Sequence, residues 1–511
     1  MSAFPIPGGL SRMHAHIRLL LLLTLLVRGG MFLAYPLQVR VDDNQNGQRY
    51  LIDRLLEGDL LIGNVRYNTG YPLVIAPAAA AGQLFGRLNE RFVLLVQVTL
   101  SALIPFLLYD LARRHHSRRA GLVVALLALF DPHGLQWAHL SLPIWLVALC
   151  YTLSIWIMDR ATQRGLPRGP FLVAGVILGV AVLARLVFAP VVALITLTLL
   201  FSRRFSMRKR LNALVALGVG SLLVLASYFV LVHYPATGTF RLSCVGGHNF
   251  LESLYEADIP VVAANGEATA RLLNLSALPA NSRPETSLGY GDWRNPGPWV
   301  TQEVQREFLS QLPPEVVPET IDMRPANDVL TWNLGPCETD SLLYAVALEA
   351  LAARPLQFVV SLPGEVHVLL HRITRWHLPH IDSLEIYDDS DLPFPLQRAR
   401  DRQGLSYLRN PLWPAPMAVY SDTRDLLNWT NLLIVPALAW ALLRGRALFV
   451  LAALTLLFWV IFLAVFDWRE GRIVAPLWPL WPLLIGGMLA DLWQGISAWA
   501  GARRESARPS R

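Results

Sequence analysis

Five arginine-rich connections occupy every second break between apolar runs, and this alternation constrains the chain more than any single motif. They are Arg113-Arg114-His115-His116-Ser117-Arg118-Arg119, the stretch from Arg160 to Arg168, Arg203-Arg204 to Arg210, Arg444-Gly445-Arg446, and Arg503 to Arg511. Loops of this kind stay cytoplasmic under the positive-inside rule. The remaining connections then open on the other face, which carries Asp42-Asp43, Asp131, Arg185 and Asp467-Trp468-Arg469-Glu470-Gly471-Arg472. Composition agrees, because 511 residues that are 54% hydrophobic and only 16% charged are too apolar for a soluble domain. The net charge of +7 is assigned to topology-setting arginines beside anionic lipid. With no nucleic-acid motif visible, the expected partners are membrane lipids and not nucleic acid.

The first apolar run, His16–Tyr35, carries Arg18 and Arg28 and lacks a small-residue cleavage site, so it reads as a retained helix. Hydropathy places further spans near 91–111, 120–137, 140–158, 171–185, 187–202, 211–234, 428–444, 447–466 and 473–494. The expected fold is an all-α polytopic membrane protein of about ten transmembrane helices with both termini cytoplasmic. Tyr71–Gly86 is also apolar, but a span there would invert every later arginine loop. It is placed as a hydrophobic helix on the outer surface.

Three regions follow. Residues 1–234 form an N-terminal transmembrane module of about seven spans, with a first outer loop at 36–90. Residues 235–427 form a polar extracytoplasmic module, α or α/β, long enough to fold as a unit. Residues 428–511 add about three spans and a basic cytoplasmic tail. Within the outer module, Leu342–Leu369 reads as a pair of amphipathic helices along the membrane surface, broken at Arg354-Pro355 and Pro363-Gly364. Cys244 and Cys337 both fall in this module and can pair in an oxidising compartment, whereas Cys150 lies in a span.

Asp42 and Asp43 leave the first span side by side, where burial and mutual repulsion raise one carboxyl pKa and suit it to general-base work. They can equally cap the helix that follows. Asp131-Pro132-His133 and His139 lie on the next outer connection, as a second carboxylate or as ligands for a divalent metal ion; Asp and His also serve as plain turn formers. His367 and His371 sit one helical turn apart near His377 and His380, a spacing that an interfacial helix tolerates without a metal. Arg185 interrupts an apolar run where the chain turns outward, and Arg472 stands at the entrance of the last span after Glu470. Their planar guanidinium groups match phosphate oxygens, and snorkelling to lipid headgroups is the alternative.

Taken in order, these pieces resemble the GT-C superfamily of integral-membrane glycosyltransferases, which includes protein O-mannosyltransferases and lipid A aminoarabinose transferases. The resemblance runs through Asp42-Asp43, the helix Tyr50 to Gly58, and Gly70-Tyr71-Pro72-Leu73 through Leu84-Phe85-Gly86. It continues through Ala184-Arg185, Thr237-Gly238-Thr239-Phe240 with Gly246-Gly247-His248-Asn249, and Glu470-Gly471-Arg472 with Pro476 and Pro479. Members often place an acid four positions before the helix tyrosine. That position is Asn46 here, so the role passes to Asp43 or Asp42.

The resemblance implies inverting transfer of a sugar, hexosyl or pentosyl, from a polyprenyl-phosphate donor to an extracytoplasmic acceptor, at a bacterial inner membrane. Asp43 would take the acceptor proton, and Arg185 and Arg472 would steady the leaving phosphate. Glu470 would orient Arg472 or a sugar hydroxyl, and Asp131 and Tyr71 would contact substrate. The rival classes are a transporter or flippase of a lipid-linked sugar and a non-catalytic envelope scaffold. Inverted repeats and midplane charges, common in transporters, are not seen in the sequence.

Overall fold

The structure, a computed structural model, describes residues 15–34, 43–62, 69–84, 89–139, 142–201, 205–256, 259, 261–276, 336–372, 433–444, 447–466 and 475–506. Among these the chain is helical, without strands. Among the described residues six helices are long and apolar enough to cross a membrane: Ala15–Leu33, Phe92–His115, Ile144–Gln163, Met207–Thr237, Ala447–Phe466 and Ala475–Ala500. Arg168–Ala184, Leu186–Leu200 and Ile434–Arg444 are shorter apolar helices. The sequence reading of about ten spans is therefore approximate, since several of its segments form helices under full span length.

Helix α1 (Ala15–Ala34) shows how the bundle forms. Leu20, Thr24, Arg28 and Met31 recur at helical spacing and are buried, whereas Leu22, Leu25, Leu26 and Leu33 are exposed. One stripe faces protein and the rest faces lipid. Next come α2 (Asp43–Leu56), α3 (Gly70–Gln83), α4 (Asn89–Ser101) and α5 (Leu103–His115). Helix α3 packs on α2, α4 and α9 (Arg168–Ala184), alongside the bundle.

Helix α6 (Arg118–Phe130) starts on a Ser117 cap, whose Oγ accepts the Ala120 N–H at 3.1 Å. The sequence reading carried this span through to residue 137. Instead Asp131 takes an extended backbone, φ −63 and ψ 119, and a separate α7 (Pro132–Ala138) follows. The cause is local, because Pro132 disfavours helical geometry at the residue before it.

Helix α8 (Ile144–Gln163) leads to α9, which lies against α11 (Met207–Tyr228) after the intervening α10 (Ala189–Phe201). Small residues permit that contact. A Cβ on Gly175 would stand 2.1 Å from the Leu217 carbonyl oxygen and one on Gly220 2.3 Å from that of Leu172. Ser221 Oγ donates to the Gly175 carbonyl at 2.9 Å. Close backbone approach through small residues is a common way for helices to associate in lipid.

At the arginine-rich end, three carboxylates tie helices together. Asp110 accepts from Arg113 at 2.7 Å, Trp156 at 2.9 Å and Arg160 at 3.0 Å. Asp159 pairs with Arg114 and with His115, the latter at 2.6 Å. Asp491, on α19 (Leu480–Ser506), meets His116 at 2.6 Å and accepts from Trp440 of α17 (Ile434–Arg444) at 2.8 Å. The arginine connections after α5 and α8 thus share one end of the bundle with the middle of α19.

The described part of the region between the two membrane modules is helical. It comprises a four-residue α12 (Tyr234–Thr237), α13 (Gly246–Glu256), α14 (Glu267–Ser276), α15 (Pro336–Ala353) and α16 (Pro355–Arg372). Helices α15 and α16 meet at 102° across Arg354-Pro355. Pro363 was expected to make a second break, yet α16 continues through it. Helix α15 organises this module: its Asp340 accepts the Gly247 N–H at 2.6 Å, at the start of α13. Its Glu349 accepts from the Ala268 and Thr269 N–H groups at 2.9 and 2.8 Å, at the start of α14. Carboxylates satisfy the orphan donors of helix N-termini in this way. Cys244 and Cys337 are joined by a disulfide across 93 residues, with a Cα separation of 4.7 Å. Phe250 of α13 packs on Phe466 of α18 (Ala447–Phe466), with ring centroids 5.4 Å apart, and so docks the module on the membrane bundle.

Candidate active site

The end of the bundle opposite the carboxylate ties gathers several of the residues singled out from sequence. Arg185 follows the last residue of α9 in extended conformation, φ −155 and ψ 99, half-buried, and a 3-10 turn at Leu186–Phe188 leads on to α10. Next to it, the start of α3 touches the end of α9. A Cβ on Gly70 would come within 2.3 Å of the Ala184 nitrogen, so only glycine allows this approach. Tyr71 is fully buried, and its hydroxyl donates to Gln97 Oε1 on α4. Gln97, itself fully buried, donates through Nε2 to the Ala138 carbonyl at the end of α7, at 3.2 Å. A continuous buried path therefore runs from the Ala184-Arg185 corner to α7. Tyr71 lies inside that path as a packing and hydrogen-bonding residue.

Asp131 stands at the other end of α7. Its Oδ1 accepts the Gly134 N–H at 3.1 Å, and its carbonyl accepts the Leu135 N–H at 3.1 Å. The Gly134 carbonyl accepts from Arg28 Nη1 of α1 at 2.7 Å. A Cβ on Gly134 would lie 2.7 Å from the Trp478 ring. Trp478 is buried immediately before α19, and Ala475 nearby packs with Trp137, Leu142 and Ile144. The turn carrying Asp131 is thus seated against the start of the last span. His139 is buried, and its Nδ1 lies 2.6 Å from the Leu135 carbonyl. Burial first, and then the charge of Arg28, push its pKa down to about 4, so the ring is neutral and Nδ1 donates.

Helix α2 begins at Asp43. The Asp43 side chain lies outside the described residues, as do Asp42, Glu470 and Arg472 entirely. The His133 side chain, raised as a metal ligand beside Asp131, is outside them too, as are those of His367 and His371; His377 and His380 lie outside entirely. Among the described residues no three His, Cys, Asp or Glu side chains gather as a metal site. Thr237-Gly238-Thr239-Phe240 forms a left-handed turn at Gly238, φ 66, with the Phe240 ring tilted against Tyr234 at 4.7 Å between centroids. Nearby Tyr228 hydrogen-bonds Thr69, the residue before α3.

Two participants escaped the sequence reading. Gln97 is a lone amide in the apolar run 91–111, and that polarity was the available signal. Arg28 was visible as a charge in the first span, but nothing along the chain pointed to its partner 106 residues away.

Residues 72–230 match the family described as dolichyl-phosphate-mannose-protein mannosyltransferase. That stretch begins in α3, includes Gln97, Asp131, Gly134 and Arg185, and ends in the π-helical turn Phe229–His233. No curated protein matches the chain. Among solved structures, ArnT from Cupriavidus metallidurans bound to undecaprenyl phosphate aligns at 16% identity, with 93% of this chain and 78% of that chain covered and a TM-score of 0.38. The same protein in its apo state aligns at 14% identity, with 92% and 76% covered and a TM-score of 0.35. The family match over residues 72–230 agrees with the resemblance to GT-C-type glycosyltransferases read from the sequence.

Proposed function

We propose that this protein transfers a sugar from a polyprenyl-phosphate donor to an acceptor hydroxyl at the extracytoplasmic face of a bacterial inner membrane, with inversion at the anomeric carbon. The observation that carries this reading is the family match over 72–230, which encloses both Asp131 and the Ala184-Arg185 corner. The buried path from that corner to the end of α7, the short helix that Asp131 precedes, supports a single site built from α3, α4, α7 and α9. The arginine-rich end is then cytoplasmic, as are both termini.

In the proposed step the acceptor oxygen attacks the anomeric carbon, the bond from that carbon to the phosphate oxygen breaks, and polyprenyl phosphate leaves. Asp43 takes the acceptor proton as general base, with Asp42 as its neighbour. Arg185 and Arg472 hold the phosphate, whose negative charge grows as the bond breaks; fixed guanidinium donors match that charge. Glu470 orients Arg472 or a sugar hydroxyl, and Asp131 binds sugar. Tyr71 supports the substrate side of α3.

The test is a transfer assay with purified protein in nanodiscs and a radiolabelled undecaprenyl-phosphate sugar. Release of undecaprenyl phosphate coupled to acceptor glycosylation is the expected result. Asp43→Asn should cut turnover by about 10²–10⁴-fold, the usual worth of a general base, with donor binding kept. Movement of intact donor across proteoliposomes without bond cleavage would replace the transferase by a flippase.

A further inference from the structure

The proposed reaction gives no role to Arg28, yet this residue is the most unusual charge in the bundle. It lies in the first apolar span and is 2% exposed, on the same buried stripe as Leu20, Thr24 and Met31. A charge within a span is costly and usually marks a functional contact in the protein interior. The guanidinium reaches away from its own helix: Nη1 donates to the Gly134 carbonyl at 2.7 Å and approaches Ser101 Oγ at 3.5 Å. Gly134 is also held through its other backbone group, whose N–H donates to the Asp131 carboxylate at 3.1 Å. Its Cα is pressed on the Trp478 ring, where a Cβ would have no room.

One residue, Gly134, therefore joins α1, the Asp131 turn and the start of the last span. The turn itself is short: Asp131 is extended and Pro132 opens a seven-residue α7. So brief a helix, breaking off where α6 ends, has little hydrogen bonding of its own to hold its orientation. A charged donor on its carbonyl fixes it more firmly than a neutral one would.

We infer that Arg28 is a positioning residue, which aims the Asp131 carboxylate by clamping the Gly134 carbonyl. The inference rests on the reading of Asp131 as a substrate-binding group. Arg28 touches neither donor nor acceptor; it acts through the turn. Its loss should lower kcat far more than it raises the KM for donor, because the lipid phosphate is held elsewhere and only the aim of the sugar-binding carboxylate changes.

The experiment compares Arg28→Lys, Arg28→Gln, Asp131→Asn and the double variant Arg28→Lys/Asp131→Asn in nanodiscs, with undecaprenyl-phosphate-linked sugar as donor. Lysine keeps the charge and can still donate to a carbonyl but lacks the planar fork, so it tests the role in a variant that retains the interior charge. The inference expects kcat in Arg28→Gln to fall by about 100-fold, the cost of a misplacement near 1 Å, with Arg28→Lys between it and the parent. It also expects the double variant to turn over as Asp131→Asn does alone. Parental kcat in Arg28→Lys and Arg28→Gln, beside a slow Asp131→Asn, would overturn the inference and leave the proposed function standing. So would losses that multiply in the double variant. Parental turnover in Asp131→Asn would instead remove Asp131 from the mechanism, and the inference with it.

Discussion

Arg185 closes α9 in an extended conformation beside the tightest backbone contact on α3, so its side chain departs from a corner with little freedom to move. That rigidity separates its two readings. A phosphate ligand needs the planar fork of arginine, whereas a headgroup anchor is served as well by lysine. Arg185→Lys should weaken undecaprenyl phosphate binding by about tenfold or more, the loss of one charge-assisted hydrogen bond of about 1.5–3 kcal/mol. Equal binding by the purified variant and its parent, in the same nanodiscs, would make Arg185 an anchor. At this scale the candidate site was half legible: Asp131, Arg185 and Asp43 stand out as charges beside apolar runs. Tyr71 and Gln97 acquire meaning only as partners across two helices.

Among elements, the α9·α11 pair sets where Arg185 stands, because Gly175 and Gly220 let the two backbones touch along the length of α9. A side chain at Gly175 meets carbonyl backbone, which cannot rotate aside as a flexible side chain would. Gly175→Ala should therefore destabilise the protein by about 1–3 kcal/mol and move the Arg185 corner. Thermal unfolding in detergent, compared with Gly169→Ala where a Cβ meets nothing within 4 Å, measures the difference.

The module built around α15 offers a pH test. Burial raises the Glu349 pKa, but the stronger pull of the Ala268 and Thr269 donors leaves it below its ordinary value of 4.5. With the folded value depressed, the stabilising contribution is present above pH 4.5 and is lost as pH falls through the folded value. Unfolding of the module followed across that acid range should show the loss in the parent and a flatter profile in Glu349→Gln.

For the molecule as a whole, the decisive expectation is sidedness. Cysteines placed at Glu57 and Phe240, both exposed, should react with an impermeant thiol reagent in intact cells, and one at the exposed Arg119 should not. The native background is quiet, since Cys150 is buried and Cys244 and Cys337 are bonded to each other. Labelling at Arg119 with protection at Glu57 would invert the bundle and move the candidate site to the cytoplasm.

What could be read directly from the chain was its all-helical, membrane-embedded character. Transfer of an apolar run into lipid, and the retention of arginine on one side, depend on composition within each segment. The end of α6 at Asp131 was equally local, for Pro132 alone enforces it, although the hydropathy reading ran through it. Tertiary structure decided the rest. Whether Arg28 reaches Gly134, Tyr71 reaches Gln97, or Gly70 lies on Ala184 depends on how helices far apart in sequence fit side by side. Such a fit is a property of two surfaces at once, and no periodicity within one segment encodes it.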